Sequence, residues 1–202
     1  GTVIAHNEIR DLPYTGVSVG WGWGEEDAGG GAYGQKPFYD TPTVAKNNRV
    51  ELNYIHHVMR ELADGGGIYT LSIQPGTVIR GNHIHDNRGG PGGIYLDEGS
   101  GHIEVTGNCV YNVPKPMNYN NAAQNRRATC NEHDNAFGLG HPPAYPKAAE
   151  GAGIEPAWRH LLEKTAAAAG NPEPALAVVS DYDGGDYYWV REGQKQPHHG
   201  MR

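Results

Sequence analysis

Several features that mark common classes of protein are absent from this sequence or rare in it. No apolar run approaches the roughly 20 residues that a membrane-spanning helix needs, and the net charge of −7 provides no basic surface for nucleic acid or an anionic membrane. We therefore expect neither nucleic acid nor a membrane as a partner. Only two cysteines occur, Cys109 and Cys130, without the spacing of a metal site. The sequence leaves open whether they form a disulfide or remain free thiols.

Glycine and tyrosine, by contrast, are abundant. The 202 residues include 30 glycines, 12 tyrosines and 4 tryptophans, whereas phenylalanine occurs only 2 times. Glycine at this level without a collagen-like period predicts many turns. The 37% hydrophobic fraction is enough for a core, although not for a helical bundle with wide apolar faces. The length fits one domain with an appendage.

An internal repeat runs through much of the chain. It consists of an Ile or Val, two variable residues, an asparagine, one variable residue and another Ile or Val. The asparagines that anchor it are Asn7, Asn53, Asn82 and Asn108, with Asn135 as a degenerate fifth member. Asparagine at a fixed place in a repeat suits a turn with left-handed backbone and a ladder of amides between coils. We therefore assign these residues no chemistry.

The repeat predicts an all-β fold. A second shared segment begins at Gly16, Gly67 and Gly93, so each repeat carries two short β-branched strands. This pattern is typical of a right-handed parallel β-helix, here of about four coils. Inward side chains would stack along the axis in two columns, namely Val17, Ile68 and Ile94, and Ile55, Ile84 and Val110.

The same pattern predicts how the chain is divided. Coils would occupy 1–137, with an inserted loop at 21–47 where the first repeat is too long. A Pro-rich connector and a C-terminal helix would follow at 138–172, and a tail at 173–202.

The sequence also predicts what contacts the two ends of the coil region. The C-terminal helix would begin near Glu155, and Trp158 would anchor it on the solenoid. Residues 1–20 start within a repeat, so we expect them to contact N-terminal coils of a longer chain. The piece alone would then self-associate through its open edge.

The outer face of the second shared segment combines aromatic and acidic residues. Strand alternation places three of them outward on one solvent face: Tyr69, Tyr95 and Asp97. The inserted loop would bring Trp21 and Trp23 beside them. Rings and carboxylates together suit a sugar-binding groove, whereas tyrosines packed under a covering loop would give the same pattern.

Three carboxylates are candidates for catalysis: Asp64, Asp97 and Glu98. Glycosidases need two carboxyl groups, about 5 Å apart in retaining and up to about 9.5 Å apart in inverting enzymes. Asp64 and Asp97 belong to opposite strand ends, so their backbones would lie well over ~10 Å apart unless a bulge at 65–67 redirects Asp64. Acidic residues at 25–27 are alternative partners, and a turn or capping role is the alternative for each carboxylate.

The sequence predicts no metal site and no cofactor. None of the 11 histidines falls at the spacing of a helical zinc pair. We expect them to be solvated or to pack between coils.

Several motifs resemble the C-terminal half of right-handed parallel β-helix proteins related to glycoside hydrolase family 141. The most specific are Asp64-Gly65-Gly66-Gly67-Ile68-Tyr69 and Tyr95-Leu96-Asp97-Glu98-Gly99-Ser100. Members of that family include α-L-fucosidases and xylan-active enzymes. The resemblance implies that Asp64 and Asp97 act as acid/base and nucleophile, and it implies a secreted or periplasmic protein.

Three functions follow as hypotheses. The first is a glycoside hydrolase on plant or algal polysaccharide, with fucoside or xyloside linkages, in which Glu98 supports Asp64 and Asp97. The second is a polysaccharide lyase on the same fold, which would need a Lys or Arg base and usually calcium. Lysine is scarce, and the basic residues near the repeat face are Arg80 and Arg88. The third is a non-catalytic β-helix that binds glycans or serves as a scaffold.

Overall fold

The chain forms a solenoid of short strands. The computed structural model describes two strands at 188–191 and 194–197 and the following longer ranges: 1–20, 44–121, 126–138 and 150–160.

Each coil contributes three strands, numbered here in chain order. The first coil contains β1 (Val3–Ala5), β2 (Glu8–Arg10) and β3 (Val17–Val19), and the second contains β4 (Arg49–Glu51), β5 (Tyr54–His56) and β6 (Gly65–Thr70). The third coil contains β7 (Ile73–Arg80), β8 (His83–His85) and β9 (Pro91–Leu96), and the fourth contains β10 (Gly101–Thr106), β11 (Cys109–Tyr111) and β12 (Met117–Tyr119). A 3-10 helix (Arg127–Thr129) then precedes β13 (Asn131–His133) and β14 (Ala136–Gly138). A separate antiparallel pair consists of β15 (Tyr188–Arg191) and β16 (Gln194–Pro197).

The first fourteen strands form three parallel sheets. Sheet 1 has the order β1-β4-β7-β10-β13, sheet 2 the order β2-β5-β8-β11-β14, and sheet 3 the order β3-β6-β9-β12. Every neighbouring pair within them is parallel. The predicted all-β parallel solenoid is therefore confirmed.

Aliphatic side chains fill the space between the sheets. In sheet 2, Ile55 pairs with Ile84 and Ile84 with Val110, and all three are fully buried. In sheet 3, Val17, Ile68 and Ile94 pair in the same way. Both predicted columns are confirmed, and each fully buried aliphatic side chain contributes about 1.5–3 kcal/mol of hydrophobic stabilisation.

The repeated asparagines form a continuous ladder along the axis. Asn82 donates Nδ2 to Val50 O at 2.8 Å and to Asn108 Oδ1 at 2.9 Å. Its own Oδ1 accepts the backbone N–H and the Nδ2 of Asn53, both at 3.0 Å. The ladder continues to Asn135, whose Oδ1 accepts both donors of Asn108 at 2.9 Å. The structural role predicted for these residues is confirmed, including that of the fifth member.

The left-handed turns lie beside the ladder rather than on it. A positive φ occurs at the residue that precedes each asparagine: His6, Leu52, Gly81, Gly107 and Asp134. The prediction that the asparagines themselves adopt this conformation is therefore wrong. A second set follows the strands of sheet 2: Asp11, His57, Asp86 and Asn112. Each coil thus turns at fixed positions, which leaves the asparagines free to align their amides.

Histidine and tyrosine rings stack on the outer face of sheet 2. The His85 ring lies 5.3 Å from that of His56 and 5.0 Å from that of Tyr111, nearly parallel to both. Its Nε2 lies 2.9 Å from the Tyr54 hydroxyl, and His83 Nε2 lies 3.1 Å from the Tyr111 hydroxyl. These histidines pack between coils, as expected. Within the described ranges, no three His, Cys, Asp or Glu side chains form a group that could hold a metal ion.

The segment at 150–160 contacts the solenoid beside the ladder. Gly153 donates its N–H to Leu52 O at 2.8 Å. The predicted helix begins as a 3-10 helix (Pro156–Trp158), and its continuation from 161 lies outside the described residues. Trp158 is 56% exposed, so its predicted role as an anchor is wrong; a glycine makes the backbone contact instead.

The structure tests the remaining predictions from the sequence only in part. Of the inserted loop, 21–43 lie outside the described residues, and the division of the chain into coils, connector and tail stays a prediction. Cys109 and Cys130 are free thiols, and burial raises the pKa of each. No helix among the described residues is long and apolar enough to span a bilayer.

The asparagine ladder predicts a larger loss of stability when an asparagine at its centre is replaced than when one at its end is replaced. Asn82→Ala should lower the free energy of unfolding by about 3 kcal/mol or more, because several buried donors and acceptors lose their partners. Asn7→Ala is the matched control. Asn7 is exposed, so the cost there should be about 1 kcal/mol or less. Urea unfolding followed by circular dichroism measures both, and equal costs would contradict the ladder as the source of stability.

The ring stack predicts acid sensitivity. Burial, followed by the charges of His85 and His56, lowers the pKa of His83 to about 4. The pKa of an unfolded histidine is about 6.5, so the unfolded state binds the proton first as the pH falls. Stability should therefore fall as the pH drops from about 6.5 towards about 4. In His83→Gln, the melting temperature should fall less steeply over that interval.

His133 provides a control of opposite sign. It is exposed, and its hydrogen bonds to Asp134 and Glu104 raise its pKa. It therefore contributes stability in acid that is lost as the pH rises through its folded pKa. His133→Gln should make the acid-induced decline steeper, and the same change of slope in both variants would contradict these assignments.

Candidate active site

Two tyrosines from neighbouring coils lie side by side on the outer face of sheet 3. Tyr69 of β6 pairs in register with Tyr95 of β9. Their rings make an edge-to-face contact, with centroids 5.2 Å apart and planes at 75°. The isoleucine before each tyrosine points into the core, so strand alternation places the two rings as predicted.

Asp97 follows β9 and is surrounded by hydrogen-bond donors. Its Oδ1 accepts the Tyr95 hydroxyl at 2.9 Å and Asn120 Nδ2 at 2.8 Å. Its Oδ2 accepts the Tyr69 hydroxyl. These three donors are side chains from three coils, and none carries a formal charge. Neutral donors therefore hold the Asp97 carboxyl group in a fixed orientation.

The Tyr95 hydroxyl also contacts the second candidate carboxylate. It lies 3.3 Å from Asp64 Oδ1 as well as 2.9 Å from Asp97 Oδ1. The distance between Asp64 Oδ1 and Asp97 Oδ1 therefore cannot exceed the sum of these two distances. That limit is shorter than the separation of about 6.5 Å at which the range of inverting glycosidases begins. The structure thus brings together Asp64 and Asp97, which sequence geometry had kept apart.

Asp64 reaches the pair from the turn that precedes β6. Its φ of 60° is left-handed, and its carbonyl oxygen accepts the Tyr14 hydroxyl at 2.7 Å. Leu62, two residues earlier, donates its N–H to Pro13 O at 2.9 Å. Two adjacent residues of the first coil, Pro13 and Tyr14, therefore hold this turn in place.

No bulge is needed to redirect Asp64. Gly66 pairs with Gly92 in the same unbroken register that pairs Tyr69 with Tyr95. The possibility of a bulge at 65–67 is therefore ruled out. The left-handed turn and the length of the tyrosine side chain account for the short distance.

Burial changes the expected character of this face. Tyr95 is only 3% exposed and Asp97 only 5%, so the prediction that they lie on an open solvent face is wrong. Burial, followed by the Asp97 charge, raises the pKa of both Tyr69 and Tyr95. Both phenols consequently keep their hydrogens and act as donors to the carboxylates.

The other predicted site residues contribute less to this picture. Glu98 is half-buried, and its carbonyl oxygen accepts the N–H of Ser72 at 3.3 Å; its supporting role stays a prediction. Trp21, Trp23 and the acidic residues at 25–27 lie outside the described residues.

Sequence reasoning missed two residues of the site. Asn120 follows β12 as Asp97 follows β9, and its backbone N–H donates to Leu96 O at 2.9 Å. The register of the repeat could have revealed it, since equivalent positions of adjacent coils are neighbours. Tyr14 belongs to a corner rather than a strand, so no periodic signal marks it.

Comparison with known proteins gives one informative likeness. No protein-family model matches the chain, and no curated protein matches it. A solved structure described as "Glycoside hydrolase" is similar over 78% of this chain, with 29% sequence identity and a TM-score of 0.55. The chain resembles part of a glycoside hydrolase. It spans 23% of the length of that structure.

This likeness agrees with the parallel β-solenoid described above. It supports the broader resemblance to glycoside hydrolases, whereas the narrower resemblance to family 141 stays a prediction.

Proposed function

We propose that this chain belongs to a glycoside hydrolase that acts on plant or algal polysaccharide, with fucoside or xyloside linkages as substrates. One observation carries the proposal: a single tyrosine hydroxyl contacts carboxylates from two adjacent coils, Asp64 and Asp97. The likeness to a solved glycoside hydrolase supports the reaction class. The family 141 motifs support the choice of sugar, and a secreted or periplasmic location would suit such a substrate.

The hydrogen-bond arrangement supports a distinct role for each carboxyl group. Tyr95 has one hydroxyl hydrogen, and its shorter distance is to Asp97. Its longer distance, 3.3 Å, is to Asp64 Oδ1. Two negative charges this close would repel each other. We therefore assign the role of general acid to Asp64 and that of nucleophile to Asp97.

These roles define a retaining reaction in two steps. Asp64 donates its proton to the leaving oxygen as an oxygen of Asp97 attacks the anomeric carbon, so the glycosidic bond breaks and a glycosyl ester forms. Asp64 then removes a proton from water, which attacks the same carbon and releases Asp97 as carboxylate. The upper limit on the separation of the two carboxylates favours this course over inversion.

The lyase alternative receives less support from the position of Arg80, one of its two candidate basic residues. Arg80 lies on sheet 1, where its Nη2 is 2.6 Å from Glu51 Oε2. The tyrosines and carboxylates lie on sheet 3, so Arg80 is not placed to remove a proton there. The donors that hold Asp97 are two phenols and an amide.

A non-catalytic β-helix is the second candidate function. The observation that favours it is the burial of Asp97, at 5% exposure with three side-chain donors. A carboxylate held in this way could simply join three coils. Activity measurements on carboxylate variants separate the two functions.

Asp97→Asn should abolish turnover of aryl fucosides or xylo-oligosaccharides, because an amide cannot act as the nucleophile. Asp64→Asn should lower kcat by about 100-fold to about 10,000-fold through loss of the general acid. Asparagine tolerates the left-handed backbone at this position. The matched control is Asp11→Asn, since Asp11 has a similar φ of 58° but pairs with Arg60. Full activity of a folded Asp97→Asn variant would contradict the proposal.

The stereochemical outcome provides a second, independent prediction. The first sugar released should keep the anomeric configuration of the substrate, because the distance between Asp64 Oδ1 and Asp97 Oδ1 lies below the range of inverting enzymes. Proton NMR of the reaction before mutarotation records this directly. An inverted first product would show that Asp64 and Asp97 are not the catalytic pair.

A further inference from the structure

We propose that Tyr14 is the aromatic platform on which the substrate sugar stacks beside the two carboxylates. This inference rests on the proposed function and names a substrate-binding residue for it. Neither motif nor repeat marks Tyr14, and its position emerges only from the fold.

Tyr14 is placed at the edge of the carboxylate pair. It lies in the corner between β2 and β3, and its hydroxyl is 2.7 Å from the carbonyl oxygen of Asp64. Burial, followed by the Asp64 charge, raises the pKa of its phenol, and the Asp97 charge adds to this effect. Tyr14 is therefore close enough to both carboxyl groups for each of them to affect its pKa.

The ring is the part of Tyr14 that remains available to a ligand. Its single hydroxyl hydrogen is already donated to the backbone of Asp64. The residue is nevertheless 38% exposed, in contrast to Tyr95 at 3%. A side chain whose donor is used and whose surface is open offers an apolar ring face, which suits the C–H face of a pyranose.

The ring is also held in position before any ligand arrives. A Cβ at Gly65 would lie 2.9 Å from Tyr14 Cε2, so the ring packs directly on that glycine. The hydroxyl, on the neighbouring ring carbon, adds its hydrogen bond to Asp64 O at the same end of the side chain. A pre-organised ring loses little rotamer freedom on binding, which favours affinity.

The surrounding charge selects the class of sugar. Asp97, the proposed nucleophile, contributes negative charge beside Asp64, so a uronate would be repelled. The platform therefore suits a neutral pyranoside, in agreement with hydrolysis of fucosides or xylosides.

The test measures binding without turnover. In the Asp97→Asn background, titration calorimetry with xylo- and fuco-oligosaccharides gives Kd directly. Tyr14→Phe, which keeps the ring, should leave Kd within about 3-fold, and Tyr14→Leu should raise Kd by about 10-fold or more. Trp158→Leu is the matched control, since it removes an exposed aromatic ring from the segment at 150–160 and should leave Kd unchanged.

Three outcomes would overturn the inference. If Tyr14→Leu binds as tightly as its parent while the enzyme with native carboxylates hydrolyses the sugar, Tyr14 is not a platform and the proposed function stands. Tyr14→Phe and Tyr14→Leu can also be measured for kcat in the enzyme with native carboxylates. If both lower kcat equally there, with Kd unchanged in the Asp97→Asn background, Tyr14 only positions Asp64. If none of these sugars is bound or hydrolysed by any variant, the proposed function fails together with this inference.

Discussion

The register between successive coils is the constraint on which this solenoid depends. Many of its strands are only three residues long, and a slip by one residue would turn every inward side chain outward. The asparagine ladder opposes such a slip. Asn82 bonds to Val50 in the preceding coil and to Asn108 in the next, in an interior where an unpaired amide is costly. The ladder therefore fixes which residue of each coil lies above which, and the aliphatic columns follow from that alignment.

The same register organises both outer faces. On sheet 2 it aligns histidine and tyrosine rings into a stack that covers several coils. On sheet 3 it sets Tyr69 beside Tyr95 and places Asp97 beside Asn120, because each follows the same position of its strand. Adjacent coils are about 4.8 Å apart, which is the scale on which two carboxyl groups cooperate at a glycosidic bond. The candidate site thus arises from the spacing that also stabilises the fold.

The repeat was sufficient to predict the fold, since the asparagine spacing and the alternating isoleucines carry the coil period in the sequence itself. It was not sufficient for the site. Asp64 and Asp97 occupy unequal positions within their coils, so ideal strands keep them apart. Their contact through Tyr95 depends on a left-handed turn at Asp64 and on the reach of one side chain, neither of which has a period. Tyr14 was missed for the same reason, whereas Asn120 could have been found from the register.

The character of the donors around Asp97 bears on what the site can do. A lysine or arginine partner would neutralise the carboxylate and weaken it as a nucleophile, whereas Tyr69, Tyr95 and Asn120 are neutral donors that hold it in place. Burial and the carboxylate raise the pKa of both phenols, so these hydroxyls do not give up their hydrogens themselves. In the proposed reaction, the transferred proton must therefore come from Asp64. What distinguishes a catalyst from a scaffold at this corner is therefore whether Asp64 holds that proton where a leaving oxygen can receive it.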